Sequence, residues 1–384
     1  MNKIQKFGVF VLKRIVPLCL VVILLLFVPT LSVPADGNLS LIYNVFVGQK
    51  SKYQGVVEVW NIDTFESGSS SKTSLLNSAA AMFQKENKGL YVMIRNVTEN
   101  ECLNMLKDGQ KPDVFSCSYG VAEKIYDYVD VLNERDFNLH PNFMDAGRDE
   151  KGLFKAAAWC AGSYYLISTK ANLEKAGVNF EGDVSLLDLA LKLGYEKTSK
   201  KNKTVVYSLE FGMGGYLSPQ TSLLAYNETG ELSILPQSFS KENLLQTSYS
   251  AYCRFVAGKS VVLLGTSKDV ERMNNRLKQG RISDLIVFPL TKFTDLVQFA
   301  FVSVGEDDVK NEYKQKFVQF LTTQKFQKTV ALSNHLTVTN VDFNVAELGV
   351  MQHITLDNCS DYSLNDVFVS KQQIDELRNI LFEI

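Results

Sequence analysis

The chain segment that decides the fold reads VVEVW (56–60), NIDTFESGSSSK (61–72), SLLNSAAAMFQKEN (74–87) and LYVMIRNV (90–97). The first and last pieces are short and apolar, which is the composition of buried strands. The third piece has its apolar residues at the spacing of one helix face. Together the pieces predict a strand, a polar loop rich in serine, a helix and a second strand, in that order.

The same alternation continues after that unit. Strands are predicted at 112–118, 163–168, 259–265, 285–290 and 296–304, and helices at 100–109, 119–129, 169–178, 185–195, 241–258, 266–280, 308–323, 325–334 and 372–383. Strands that alternate with helices at this spacing are typical of parallel sheets with helices on both faces. The sequence therefore predicts an α/β fold, and its 384 residues are enough for two or three domains.

The N-terminus is a different kind of sequence. Four cations within residues 1–14 precede IVPLCLVVILLLFVPTLSV (15–33), which carries no charge. This apolar run has roughly the 20 residues that a helix needs to span a bilayer, and it also fits a secretory signal peptide. We expect residues 1–35 to be a signal peptide or an N-terminal membrane anchor, with a linker over 36–54. Both interpretations export the rest of the chain. Cys19 lies inside the apolar run, which disfavours a lipoprotein.

Composition and motifs argue against several classes of function. Without residues 1–35 the chain has 36 Lys and Arg against 42 Asp and Glu, so we expect no nucleic-acid partner. The three histidines are isolated from one another, which predicts no zinc site and no other metal. A phosphate-binding loop fails because Cys253 stands where glycine is needed, and no G-x-S-x-G motif occurs. We therefore expect no cofactor and no catalytic residue. The six cysteines have no C-x-x-C spacing, so a disulfide framework is not predicted.

Two loops lie where an open α/β sheet binds ligands, beyond the C-terminal ends of strands. They are residues 61–72 and 116–120. The serines between 67 and 71 offer hydroxyl groups and free backbone N–H groups at a helix start. Trp60, Phe65, Tyr119, Trp159 and Tyr164 have rings that could stack on a sugar. The alternative for each ring is packing in the core, and the alternative for the serines is capping of the helix.

Four segments follow one another in an order that carries a family resemblance. They are VEVWNIDTFESGSSSKTSLLNSAAAMFQKENKGLYVMI (57–94), KPDVFSCSYG (111–120), VAGKSVVLLGTSKDVERM (256–273) and KQKFVQFLTTQKFQKTV (314–330). In this order they resemble the extracellular solute-binding proteins of bacterial ABC transporters, of the sugar-binding type. The chain departs from the family pattern in having no N-terminal lipobox and in having little glycine at 66–69.

The resemblance implies a periplasmic-binding-protein-like fold of two hinged lobes, each a mainly parallel sheet flanked by helices. Lobe 1 would hold 55–158 and 295–335, and lobe 2 would hold 159–294 and 336–384. It implies a protein that is not an enzyme and that is extracytoplasmic, secreted or anchored to the outer face of the cytoplasmic membrane. Such a protein delivers a small-molecule ligand, here a sugar or oligosaccharide, to ABC-transporter permease subunits. An exported glycan-acting hydrolase and a ligand-sensing ectodomain are the alternatives.

The resemblance also implies that the ligand lies between the lobes. The residues expected to line this cleft are Phe65, Glu66, Ser67, Ser69, Ser118, Tyr119, Trp159 and Tyr164, with Thr266 and Arg272 facing them from the second lobe. Trp159 has two interpretations, because AAAWCAGSYYLIS (156–168) is expected where the chain first crosses between lobes. Its ring is either a sugar platform near the hinge or a core residue.

Overall fold

The computed structural model describes residues 50–178, 209–211, 248–290, 294–341, 364, 366–369 and 372. The N-terminal segment 1–35, the helix expected at 185–195 and all but the first residue of the helix expected at 372–383 lie outside these residues. In the described part of the chain, no helix is both long enough and apolar enough to cross a membrane. The described strands form two separate β-sheets with helices packed against each.

The first sheet has five strands, numbered in chain order. They are β1 (Lys50–Asn61), β2 (Lys88–Asn96), β3 (Val114–Cys117), β4 (Ala157–Ala161) and β9 (Val297–Val302). Their spatial order is β2-β1-β3-β9-β4. β1 pairs in parallel with β2 and β3, whereas β9 is antiparallel to both β3 and β4. The late strand β9 therefore lies in the interior of a sheet whose other strands come from the first half of the described chain.

The second sheet is smaller and also mixed. Its strands are β5 (Tyr164–Ser168), β6 (Leu209–Phe211), β7 (Val262–Thr266) and β8 (Ile286–Leu290). The spatial order is β6-β7-β5-β8, with β5 antiparallel to β7 and β8 and only the β6–β7 pair parallel. Both sheets are thus mixed rather than mainly parallel, because β5 and β9 each enter their sheet directly from a strand of the other sheet.

The helices follow the expected order. They are α1 (Lys72–Glu86), α2 (Glu99–Lys107), α3 (Pro141–Ala146), α4 (Lys170–Ala176), α5 (Ser248–Val256), α6 (Ser267–Lys278), α7 (Asp308–Leu321) and α8 (Gln324–Leu332). The helix expected at 119–129 is a 3₁₀ helix at Ala122–Tyr128, and a second short one covers Glu134–Asp136. α1 and α2 begin where Ser71 and Thr98 accept hydrogen bonds from the backbone of the first turn.

The structure corrects two boundaries of the expected linker and lobes. β1 begins at Lys50, so the linker expected over 36–54 is shorter at its C-terminal end. β4 lies wholly in the first sheet and β5 in the second, so the chain crosses at Gly162 and Ser163 rather than after residue 158. We call the first sheet with its helices the first lobe, and the second sheet with its helices the second lobe.

The C-terminal residues that the structure describes also lie differently from the expectation. Residues 336–384 were expected in the second lobe, but Leu336 pairs with Ala161 of β4. The carbonyl of Val338 accepts from the backbone N–H of His140, and Val367 donates its N–H to Ala146. Segments 336–341 and 366–369 therefore pack on the first lobe. Short apolar segments carry no sequence signal for the lobe that they join.

Candidate functional site

The loop after β1, residues 62–71, is held at its base by a buried lysine. Lys72 lies in the first turn of α1 and is 2% exposed. Its ammonium donates to Asp63 Oδ1 at 2.6 Å and to the carbonyl of Phe65, and it lies 3.6 Å from the centre of the Phe65 ring. A buried ammonium is tolerated only where charge and hydrogen bonds compensate for lost water. We call residues 62–71 the serine loop.

His335 fixes the middle of the serine loop from the other side. Its Nε2 lies 3.0 Å from the carbonyl of Ser70, which can only accept, so Nε2 carries the proton. Nδ1 then accepts from the hydroxyl of Ser67 at 2.9 Å. Burial lowers the pKa of His335 to about 4, so the ring is neutral at physiological pH. Gly68, at φ +62°, lies so close to this ring that an added Cβ would fall 2.3 Å from Nε2. Only glycine fits there.

The Ser67–His335 pair resembles a nucleophile and its base, yet its surroundings disfavour catalysis. Ser67 is buried, and Cys160, whose Sγ is 3.4 Å from the same Nδ1, is buried as well. Burial raises the pKa of the Cys160 thiol to about 12. The adjacent backbone N–H groups of Gly68 and Ser69 already donate to Ser267 and Ser333, which leaves neither for an oxyanion. This cluster shapes the serine loop.

The serine loop contacts the start of α6 in the second lobe. The backbone N–H of Gly68 donates to Ser267 Oγ at 2.7 Å, and Lys268 Nζ donates to the carbonyl of Ser69 at 3.4 Å. Glu66 accepts from Arg272 across the same boundary at 2.8 Å. The loop beyond a first-lobe strand and the helix beyond a second-lobe strand thus meet directly. We call this contact the junction.

Arg272 is the centre of an aromatic and charged group at the junction. It also donates to Asp269, whose side chain is fully buried, at 2.8 Å. Burial raises the pKa of Asp269 even though Arg272 and the backbone N–H of Thr266 stabilise its charge. The guanidinium lies 5.5 Å from the Tyr249 ring and 5.6 Å from the Tyr252 ring. These two rings are stacked at 6.2 Å, and Tyr249 is 61% exposed.

A third group lies where the chain passes between the lobes. Asp295 precedes β9, is fully buried, and accepts from the hydroxyl of Tyr164 at the start of β5. Next to it, the Thr294 hydroxyl donates to the carbonyl of Gly162 at 2.7 Å, and Gly162 donates its N–H to Leu296 at 2.6 Å. The two crossing segments are therefore hydrogen-bonded side by side. We call residues 162–164 and 294–296 the hinge.

The charge of Asp295 acts on one tyrosine in each lobe. Burial raises the pKa of Asp295 to about 7. Burial, followed by the charges of Asp295 and Asp366, raises the pKa of Tyr119 in the first lobe. Burial and Asp295 also raise the pKa of Tyr164 in the second lobe. Asp295 Oδ2 has no hydrogen-bond partner among the residues that the structure describes.

The structure brings most of the expected site residues together in two places. The junction brings together Glu66, Ser67, Ser69, Thr266 and Arg272. Phe65 contacts Lys72 at the base of the serine loop. Tyr164 donates to Asp295, and Ser118 and Tyr119 are buried in the first lobe, where the charge of Asp295 acts on Tyr119. Only Glu66, Ser69 and Arg272 of the ten keep appreciable exposure. Contact of these residues with a ligand stays a prediction.

Two of the expected cleft residues pack in the core instead. Trp159 is 0% exposed, donates from Nε1 to Ser116 Oγ at 3.3 Å, and its ring lies 6.3 Å from Phe326. Tyr119 is also fully buried and packs edge-on against Phe299 at 5.4 Å. The burial of every residue of β4 favours the core interpretation of Trp159 over the sugar platform.

Sequence reasoning missed four residues of these groups, namely Tyr249, Tyr252, Asp295 and His335. The two tyrosines are three residues apart on a predicted helix, a spacing that puts them on one face. That was the available signal. Asp295 and His335 carry no local motif, because their partners lie more than 100 residues away. Among the described residues, no group of three or more His, Cys, Asp and Glu could hold a metal ion.

Comparison with solved structures identifies a shared fold. The GacH receptor of Streptomyces glaucescens, solved unliganded and with acarbose, matches with a TM-score of 0.55 and 17% identity, over 86% of this chain and 94% of that one. The sugar-binding protein MalE from Xanthomonas citri matches with a TM-score of 0.59 and 12% identity, over 85% and 90%. The fold is therefore that of two-domain periplasmic binding proteins, sugar-binding ABC proteins among them.

An enzyme shares this fold as well. Thiaminase I from Bacillus thiaminolyticus matches with a TM-score of 0.57 and 11% identity, over 85% of this chain and 99% of that one. The fold alone therefore does not show whether a protein binds a ligand or catalyses a reaction. No protein-family model and no curated protein matches the sequence.

Proposed function

We propose that this chain is an extracytoplasmic solute-binding protein that holds a carbohydrate between its lobes and delivers it to an ABC importer. The fold supports the binding role, since sugar-binding ABC proteins have it. The observation that carries the proposal is the junction, where Arg272 and Glu66 meet a stacked tyrosine pair whose outer ring, Tyr249, is exposed. Permease subunits of an ABC transporter are the proposed protein partners, and the segment 1–35 supplies the export signal or the membrane anchor.

The chemistry of the junction fits a neutral polyhydroxy ligand. A sugar ring has apolar C–H faces that stack on an aromatic ring, and a rim of hydroxyl groups that donate and accept hydrogen bonds. Tyr249 offers an exposed aromatic face, whereas Glu66 accepts and Arg272 donates. The two carboxylates around Arg272 leave no excess of positive charge for an anionic ligand.

The first test is a thermal-shift screen of the full chain in detergent against maltose, acarbose, tagatose and xylo-oligosaccharides. A sugar at 100 times its Kd is expected to add about 2.7 kcal/mol to the free energy of unfolding. A sugar that binds is then followed by chromatography, and we expect it to be recovered uncleaved. Release of smaller sugars would favour the glycan-acting hydrolase instead.

A matched pair of variants tests the tyrosine platform. Tyr249→Ala is expected to weaken binding of the selected sugar by about 1–3 kcal/mol, which is roughly 5- to 150-fold in Kd, because the stacking face is lost. Tyr91→Ala is the control, since Tyr91 is comparably exposed but lies on β2 at the edge of the first sheet. If calorimetry gives the two variants equal affinities for the sugar, the sugar does not bind at the junction.

A further inference from the structure

The hinge contains a buried carboxyl group that touches both lobes. Asp295 lies on the segment that crosses from the second lobe to the first, and it accepts from Tyr164 on the other crossing. Tyr119 of the first lobe is close enough for the Asp295 charge to raise its pKa. One carboxyl group thus joins the two crossing segments by a hydrogen bond and acts through its charge on the loop after β3.

The surroundings of Asp295 offer little compensation for a negative charge. Its only hydrogen-bond donors among the described residues are the hydroxyl of Tyr164 and its own backbone N–H, and Oδ2 has none. No described lysine, arginine or histidine stabilises it, and the titratable groups that interact with it are the phenols of Tyr119 and Tyr164. An ionised carboxylate without a cation is costly to bury, so this arrangement favours the neutral acid.

We infer that Asp295 is a proton-controlled hinge group, neutral when the lobes are arranged as here and ionised when they separate. Opening moves β5 and its Tyr164 away from Tyr119 and lets water reach the carboxyl group. Water stabilises the carboxylate, so a higher pH favours the open arrangement. The inference rests on the proposed function in one respect, because it makes affinity for a solute held between the lobes pH-dependent.

The size of the effect follows from linkage. The buried carboxyl has a pKa of about 7, whereas a hydrated one has about 3.9. Between pH 6 and pH 8 the ratio of open to closed molecules is therefore expected to rise about tenfold. A solute that binds only the closed arrangement loses affinity by the same factor when the open form predominates.

The experiment reads the distance between the lobes without any sugar. Nitroxide labels are placed on native Cys253, exposed on α5, and on a cysteine introduced as Met93→Cys, exposed on β2. Cys19 and Cys359 are changed to serine, and the full chain is kept in detergent. Pulsed electron–electron double resonance at pH 6 and pH 8 gives the populations of molecules with short and with long distances between the two labels.

In the otherwise native chain we expect the ratio of the long to the short population to rise about tenfold between pH 6 and pH 8. Asp295→Asn removes the titrating proton and keeps the shape, so its ratio should change less than twofold. Asp108→Asn, an exposed acid after α2, is the control and should behave like the native chain. Tyr164→Phe is a second probe, which removes the hydroxyl donor and should shift the transition to higher pH.

Two results overturn the inference. One is a native chain whose populations are the same at both pH values, and the other is an Asp295→Asn chain that still shows the tenfold change. Neither result depends on a sugar. Failure of the sugar screen with an intact pH response would instead count against the proposed function and leave the hinge group in place.

Discussion

Asp295 is a single residue whose environment predicts how the whole chain responds to pH. Its folded-state pKa, about 7, is raised above that of the unfolded chain, so the folded state holds this proton more tightly. The contribution of the group to stability is therefore most favourable below about pH 4. It falls as pH rises from about 4 to 7 and stays constant above that range.

Asp295→Asn is expected to abolish this slope. Relative to the native chain, the variant should gain stability above pH 7, by at most roughly 4 kcal/mol, and gain little at pH 4. Urea unfolding of both chains at pH 4.5, 6 and 8 measures the difference. A gap between the two chains that is the same at every pH would contradict a neutral Asp295.

Trp159 makes the second prediction at the scale of a residue. Because its ring is enclosed in the core of the first lobe, Trp159→Ala should lower the free energy of unfolding by about 3–5 kcal/mol. Sugar affinity, measured well below the melting temperature of the variant, should stay within a few-fold of the native value. If the variant instead keeps near-native stability and no longer binds the sugar, the Trp159 ring is part of the binding site.

Some site residues could be predicted from the sequence and others could not. The proximity of Glu66 and Arg272 could be predicted because both follow strand ends, where any α/β sheet presents its loops. Trp159 was ambiguous, since an aromatic residue among alanines suits both a platform and a core strand. His335 was judged an isolated histidine. Its role depends on contacts with Ser67 and Ser70, which are distant in sequence and are set only by the tertiary fold.

At the scale of elements, two helices begin with the same device in different surroundings. Thr98 forms a capping box with Glu101, and Thr266 forms one with Asp269. In each box the threonine hydroxyl accepts from the backbone of the acid, and the carboxylate accepts from the backbone N–H of the threonine. The Thr98 box is exposed at the start of α2, whereas the Thr266 box is buried at the junction. Comparing the two boxes therefore separates the stability lost with a helix cap from the ligand affinity lost when the junction is disturbed.

Thr98→Ala and Thr266→Ala are each expected to lower stability by about 0.5–2 kcal/mol through the lost cap. Only Thr266→Ala should also weaken binding of the sugar selected by the screen, because the first turn of α6 positions Ser267, Lys268 and, through Asp269, Arg272. Denaturation and calorimetry on both variants check this. Equal losses of affinity would show that the caps act through global stability alone.

The elements themselves were largely predictable, and the exceptions have physical causes. The serine loop and the helices around it were found because their caps and apolar faces are local signals. β4 was missed as a strand, since the small residues of AAWCA suit a flexible crossing as well as a crowded sheet. The antiparallel direction of β9 could not be read, because β9 is buried on both faces and its nearly continuous apolar run is the pattern typical of a parallel strand.

At the scale of the whole molecule, the hinge joins the two lobes through the two crossing segments that the structure describes. The strand pairs on either side of the hinge, β4 with β9 and β5 with β8, place both crossings next to each other. The two-lobed α/β architecture was predicted through the family resemblance, and the shared fold confirms it. The assignment of the C-terminal segments failed, because segments 336–341 and 366–369 return to the first lobe.

The interior position of β9 has a consequence for how the chain is made. β3 and β4 never pair with each other, since β9 lies between them. After β4 leaves the ribosome, roughly 140 further residues must be synthesised before β9 follows, which takes roughly 7–28 s at about 5–20 residues per second. During that interval β3 exposes an unpaired edge, a surface prone to aggregation. A chain that stays unfolded, or whose β3 edge stays covered, until translation is complete avoids that exposure.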